Sequence, residues 1–339
     1  MNILDLSFEE LKKEIVRAGY KKFRAEQIFN WIYRKHTLSF QKMTNISLKA
    51  REELCEKFEI RTLPKPEIYK SPDGTQKLRF NTFDDSAVET VIIPEKNRNT
   101  ICVSTQIGCP LGCLFCRTGY LGFKRNLETS EITGQILQAE KILKKENRRV
   151  TNIVYMGMGE PLLNFEKTVR SIKILKDDRG FNFSNRRITV STVGISEKIT
   201  ELGKLTEVNL ALSLHAVDNK TRSRIMPINR KNPIEPILEE VKRYPMHSRK
   251  KLLIEYIMLK DINDSENSAK ALASIAHKIN AKVNLIPFNS FRESRLKASS
   301  QKKIFDFQKI LVDRHVTALI RKSRGEEHLA ACGQLGHKK

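Results

Sequence analysis

Long apolar runs are missing from this chain of 339 residues. No stretch approaches the ~18 uninterrupted apolar residues that a membrane helix needs, so a membrane protein is not expected. Met1 to Glu10 carry acidic side chains and no apolar signal core, which argues against secretion and for a cytoplasmic location. There is no internal repeat and no low-complexity linker. Acid is also in short supply, with 39 Asp+Glu against 62 Lys+Arg, a net charge of +23. What remains is a globular composition, 40% hydrophobic and 30% charged, neither disordered nor collagenous. The length suits one large domain and a small one.

A surplus of this size points to a polyanionic partner, because each Lys or Arg placed on a phosphate releases a counterion. The alternative is a solvated basic surface. The excess is uneven. Segment 219–251 holds ten Lys/Arg against three Glu, and segment 291–339 holds twelve against five acidic residues. Segment 1–60 is only mildly basic, so RNA contacts are expected mostly later in the chain.

Residues 1–60 read as a small helical domain. Ser7 to Leu11 has the form of a capping box, Leu11, Ile15 and Val16 follow at helical spacing, and Gly19 is a stop. Further helices are expected over 24–34 and 47–58. Residues 61–98 form a β-rich linker, with a turn at Asp73-Gly74 and a strand from Ala87 that ends at Pro94. From 99 to 322, seven apolar runs alternate with helical patterns, which argues for parallel strands with crossover helices. The expected fold is α/β, a partial barrel of about six β/α units, with chemistry at the C-terminal ends of the strands. Residues 323–339 form a tail containing Gly325, Gly333 and Gly336.

The six cysteines are Cys55, Cys102, Cys109, Cys113, Cys116 and Cys332. Without an export signal, the cluster suggests metal or redox chemistry rather than disulfides. Cys109, Cys113 and Cys116 have the spacing C-x-x-x-C-x-x-C after the first barrel strand. Three thiolates can bind three irons of a [4Fe–4S] cluster and leave the fourth open, or they can hold a structural zinc with Cys102 or a His. Gly157 to Pro161 follow the second strand. The glycines let backbone approach a ligand, and Glu160 could bind an ammonium. Cys55, beside Leu54 and Phe58, is expected in the core. Glu89, alternating with Val88 and Thr90, would by itself be an exposed strand residue.

The cysteine spacing, with the Gly157–Pro161 motif, resembles the radical S-adenosylmethionine (SAM) superfamily. The likeness extends through Val88–Glu95, Cys102–Cys109, Gly122–Leu127, Met156–Leu162, Ser213–His215, Met226–Asn229, Asn284–Asn289 and Ala330–Leu335. Nearly the whole chain resembles bacterial radical SAM adenine-C-2 methyltransferases of large-subunit ribosomal RNA, some of which also modify tRNA.

That resemblance implies roles. Cys109, Cys113 and Cys116 would hold the cluster, and Gly159, Glu160, Ser191, Ser213, Leu214, His215 and Asn289 would lie around SAM. Cys332 would carry the methyl group, Cys102 would be its thiol partner and Glu89 the proton acceptor. Two SAM molecules would be used per turnover, since carbon 2 of adenine is not nucleophilic. A flavodoxin-type electron donor and a monomeric enzyme are further implications. The tail departs from the family's usual Asp-Ile-Asp-Ala-Ala-Cys, reading Glu327 to Cys332 as Glu-His-Leu-Ala-Ala-Cys, and Pro110 and Arg117 are unusual at the cluster loop. Two rivals stand beside this reading. One is the sister group that methylates carbon 8 of the same adenine. The other is a non-catalytic, zinc-stabilised RNA-binding protein.

Overall fold

The computed structural model describes residues 1–245 and 252–336. Arg249, Lys250 and Lys251 of the basic segment, with Lys338 and Lys339, lie outside the described residues. Helices α1 (Phe8–Arg17), α2 (Phe23–Tyr33) and α3 (Leu48–Lys57) come first. Ser7 and Glu10 cap α1 reciprocally, and Gly19 at φ +92° turns the chain away from it. Phe8, Leu11, Ile15, Ile28, Phe29 and Tyr33 build a separate core that also takes in Leu137 and Ile174 from the barrel's helices. Cys55 is exposed, not buried as expected. Neighbours on a helix point about 100° apart, and Leu54 takes the inward place.

Strands β1 (Glu67–Lys70), β2 (Gln76–Asn81) and β3 (Ala87–Glu95) form an antiparallel meander. β3 then pairs with β4 (Arg98–Cys102), so the meander extends the main sheet. β3 continues through Pro94 instead of ending there. Beyond Ile92 it has only β4 as a neighbour, so the missing proline N–H disrupts no ladder.

A two-stranded ribbon, β5 (Gln106–Gly108) and β6 (Phe123–Asn126), stands apart from the sheet. Its connection contains α4 (Arg117–Tyr120). The parallel strands β7 (Asn152–Tyr155), β8 (Ile188–Thr192), β9 (Asn209–Ser213), β10 (Leu252–Met258), β11 (Ala281–Pro287) and β12 (Ala318–Ile320) continue from β4 in order. Between them run α5 (Thr129–Lys145), α6 (Phe165–Lys176), α7 (Ser196–Thr206), α8 (Asn219–Ile225), α9 (Ile234–Arg243), α10 (Glu266–Lys278) and α11 (Gln301–Asp313). The result is a partial barrel of six β/α units completed by β12. The helix-facing side of its strands is buried, while the inward side, with Asn152, Val154, Thr189 and Asn284, is half-buried and lines an open cavity.

The helical domain is fastened to this barrel. Arg170 on α6 makes a two-pronged bond to the Glu10 carboxylate at 3.0 Å, and Asp5 accepts from the Ser130 amide at 2.8 Å. Leu137, with no exposed surface, is the apolar part of the joint. Leu137→Ala is expected to cost ~2–5 kcal/mol of stability and to loosen the helical domain. Denaturant unfolding and limited proteolysis measure both. Unchanged unfolding and unchanged cleavage near residue 60 would exclude such a joint.

Candidate radical SAM active site

The cysteines sit on the β5–β6 connection, one ribbon strand beyond β4 and not directly after it. Gly108 opens the loop at φ +72°, and a Cβ there would lie 1.7 Å from the Gly122 carbonyl oxygen. The Cys109 amide closes the loop on that carbonyl at 3.0 Å. Cys109, Cys113 and Cys116 line one wall of the cavity at the C-terminal ends of the barrel strands. Burial pushes the Cys109 thiol up to about 12, and it raises Cys113 and Cys116 as well. Such thiols ionise when a bound cation supplies the compensating charge. Among the described residues, no three His, Cys, Asp or Glu side chains gather about one point as the ligands of a single ion do. Three soft thiols spread along one wall fit an iron–sulfur cluster, in which each iron takes one thiolate.

Opposite lies the Gly157–Pro161 turn. Gly157 packs so closely on β4 that a Cβ would meet the Ser104 hydroxyl at 2.6 Å, and Gly159 has φ +94°. Glu160 is buried. Its Oε2 accepts from the Val193 amide at 3.0 Å and its Oε1 from the Leu162 amide at 3.1 Å. Burial without a cationic neighbour pushes its carboxyl up to about 7. The ammonium of SAM is a fitting partner for that carboxylate.

Ser191 and Ser213, at the ends of β8 and β9, bring their hydroxyls within 3.2 Å of each other on the same cavity. Leu214 differs: its side chain is in the core, and its amide donates to the Glu255 carbonyl at 3.1 Å. His215 adopts φ +59°, and its Nδ1 accepts from the Ile257 amide at 3.1 Å. Burial, then Arg222, pushes the ring down to about 3, so a neutral imidazole with its proton on Nε2 lines the cavity.

The tail closes the barrel mouth. Asn289 accepts from the Ser323 hydroxyl at 2.6 Å and donates to the Cys332 carbonyl at 3.1 Å. The Arg117 amide donates to the Gly333 carbonyl at 2.7 Å, so the unusual Arg117 helps hold the tail. Thr118 donates to the Leu335 carbonyl at 2.8 Å. Asn289 therefore touches the tail instead of the first cavity. Cys332 and Cys102 line one connected cavity, together with Glu255 and Arg321. Burial pushes the Cys102 thiol up to about 12, and Cys332 adds to that shift.

Glu89 is 1% exposed, contrary to the plain alternation of its strand. Its Oε1 lies 3.2 Å from Lys77 Nζ, and its Oε2 accepts from the Gly336 amide at 2.7 Å. It faces a pocket with Arg79 and Lys124, apart from the one that Cys332 lines.

Comparison with known proteins settles the family. Residues 1–60 match the model for the ribosomal RNA large subunit methyltransferase N-terminal domain, and 103–272 match the radical SAM superfamily. The chain is 44% identical over its whole length to a dual-specificity RNA methyltransferase RlmN of Syntrophus aciditrophicus, covering 97% of that protein. A relative of the same name from Desulfosudis oleivorans is 47% identical over 92% of this chain and 84% of its own. A crystal structure of a radical SAM methyltransferase from Sphaerobacter thermophilus superposes with a TM-score of 0.93 at 38% identity, covering 98% of both chains.

The chain belongs to the RlmN family of radical SAM RNA methyltransferases. RlmN-family enzymes use a [4Fe–4S] cluster and SAM, so a non-catalytic zinc protein is set aside. Several positioning residues of this RlmN-type site carry no signal in the sequence. Gln106 accepts from the Glu160 amide at 2.9 Å, and Gln135 braces both the amide and carbonyl of Ser104. Arg222, Glu255 and Arg321 were likewise hidden among ordinary charged residues.

Glu160 gives a pH test. Its folded value is raised above the unfolded one, so its stability contribution is complete below about 4.5 and is lost as pH rises through about 7. Glu160→Gln removes that loss. The free protein is expected to gain about 3 kcal/mol relative to wild type between pH 4.5 and 8, while SAM affinity falls. A difference in unfolding free energy that stays flat across this range would refute the buried, unpaired carboxylate.

Proposed function

We propose that this enzyme methylates carbon 2 of an adenosine in large-subunit ribosomal RNA, with tRNA as a second substrate, through a methylated Cys332. The carrying observation is that Cys332, on a tail pinned across the barrel mouth, shares a cavity with Cys102. When bound, the cluster and SAM supply a methyl group and a 5′-deoxyadenosyl radical able to take hydrogen from it.

The chain's own residues divide the remaining work. Cys109, Cys113 and Cys116 hold the cluster. Glu160, Ser191, Ser213 and His215 orient SAM, Gly159 gives its backbone room, and Leu214 contributes backbone only. Cys332 Sγ accepts the methyl group and becomes joined through that carbon to carbon 2 of the adenine. Glu89 takes the ring proton once Gly336 has left its carboxylate. Cys102 Sγ, giving up its proton, then attacks Cys332 Sγ; the C–S bond breaks with its electron pair on the methylene carbon, which takes up a proton to become the methyl group of the freed RNA, and a disulfide remains. Asn289 sets the tail's position by its bond to the Cys332 carbonyl.

Carbon 2 is favoured over carbon 8 by Pro161 after Glu160 and by Pro287-Phe288-Asn289, which resemble the carbon-2 group. The basic surplus suits RNA read by shape, with the target adenine turned out of its stack. We place the enzyme in the cytoplasm as a monomer served by a flavodoxin-type donor. In keeping with this, no described helix is long and apolar enough to cross a membrane.

The test is anaerobic. The reconstituted enzyme is incubated with SAM, reductant and a ribosomal RNA fragment, and digested nucleosides are analysed by mass spectrometry. 2-Methyladenosine is expected, whereas 8-methyladenosine would move the enzyme to the sister group. Cys102→Ala is expected to accumulate a covalent RNA adduct on Cys332. Free RNA and free protein alone after turnover would remove Cys102 from the release step. Cys109→Ala, Cys113→Ala and Cys116→Ala are each expected to lose the cluster, and unchanged iron content would overturn that assignment.

A further inference from the structure

Arg222 on α8 has no exposed surface and is among the largest fully buried side chains of the protein. Its guanidinium is fully engaged, but only by neutral oxygens. Nε donates to the Leu214 carbonyl at 2.9 Å. Nη1 donates to Asn229 Oδ1 at 2.8 Å and the Asn232 carbonyl at 3.2 Å. Nη2 donates to the carbonyls of Val193 at 2.5 Å and Ser213 at 3.2 Å. None of these bonds goes to a carboxylate, and Ile225, one helical turn on from Arg222, is buried in one apolar cluster with Cys109, Cys113 and Phe115 of the cysteine loop.

Hydrogen bonds of this kind fix the guanidinium in place, but they do not cancel its charge. A buried cation without a counter-charge costs several kcal/mol. The carbonyls could be satisfied by a neutral donor, so geometry alone does not call for a charge here. The helix that carries it is tied to the cysteine loop: the Leu114 amide donates to the Ile225 carbonyl at 3.0 Å, which locks the end of α8, one turn beyond Arg222, against that loop. A cluster held on that loop would therefore bring its own negative charge close to a fixed, buried cation that has no carboxylate partner.

We propose that Arg222 is the fixed counter-ion of the iron–sulfur cluster, and that its charge raises the cluster's reduction potential by favouring the more negative, reduced form. This rests on the assignment of the cluster to Cys109, Cys113 and Cys116. The physical basis is Coulombic. A reduced cluster carries one more electron, and a positive charge held nearby in a low-dielectric interior stabilises it selectively. Arg222 is thus a positioning and tuning residue, not one that touches the substrate.

The experiment is a potentiometric titration of the reconstituted holoenzyme without SAM, followed by the EPR signal of the reduced cluster, with iron and sulfide assayed in parallel. Arg222→Gln removes the charge, and Arg222→Lys keeps it but loses the planar fork. Asn229→Asp puts a carboxylate on Nη1 and neutralises the charge in place. The midpoint is expected to fall in R222Q and N229D and to stay near wild type in R222K. An unshifted midpoint in a cluster-loaded R222Q would overturn the proposal. So would a loss of SAM binding in R222Q at unchanged potential, which would make Arg222 a partner of the SAM carboxylate. If R222Q loads no cluster, R222K decides: loading supports a role for charge, while equal failure makes Arg222 purely structural and overturns the proposal. Wild-type protein that takes up no iron and sulfide would instead be a failure of the cluster assignment, separable from all of these.

Discussion

The active site depends on a tail held at the barrel mouth by few bonds from many places. Asn289 after β11, Arg117 and Thr118 after the cysteine loop, and Glu89 on β3 each contribute one. Bonds of this kind are worth about 1 kcal/mol net apiece. Together they help to fix Cys332 over the cavity, and those to Leu335 and Gly336 are buried from water. Ala330 and Leu335 add apolar packing on the barrel core, while Cys332 between them stays half-buried, as the carrier role proposed for it requires. Gly333 at φ +81° and Gly336 at φ +119° give the backbone the turns it needs where a side chain would strike the Phe115 carbonyl or Leu121.

Beneath the tail, the site concentrates charges that water would otherwise solvate. Glu160 is held by two amides, Glu255 by Asn284 with Arg321 nearby, and Glu89 by Lys77. Each arrangement leaves a carboxylate short of full compensation except the last. Unpaired buried charge destabilises the free protein, and it is offset only when an oppositely charged ligand arrives. An ammonium group on the ligand proposed for this cavity would supply that opposite charge, and the neutral His215 adds a donor without adding a charge.

Much of the fold was legible in the chain because the strands leave short apolar runs and the helices that cover them leave amphipathic ones. The cysteine spacing and the Gly157–Pro161 turn were legible because ligand chemistry restricts residue type. What escaped was set by pairing across the sheet. Nothing local distinguishes Glu89 from a solvent-facing strand residue, since only its diagonal neighbour Lys77 and the overlying tail bury it. The β5–β6 ribbon was missed because each strand is three or four residues long, too short for periodicity to register. Arg222 looked like one of many basic residues in a basic segment, and only the folded chain shows it buried, bonded to neutral oxygens and carried by a helix packed on the cysteine loop.

The antiparallel meander completes the site by geometry. β3 runs antiparallel to β4 and to the barrel strands, so its beginning, not its end, lies at the barrel mouth. The register Val91 to Cys102 and Lys77 to Val91 puts Lys77, Glu89, Val91 and Cys102 on one face. The bond from the Ser104 hydroxyl to the Glu89 carbonyl, at 2.5 Å, ties that face to the Gly157 turn, whose Met158 amide the same hydroxyl accepts at 2.8 Å. A slip of one residue between β3 and β4 would carry Glu89 to the helix-covered side and leave Cys102 without it. The strands between the helical domain and the barrel are therefore a wall of the reaction site, and their register is a condition of it.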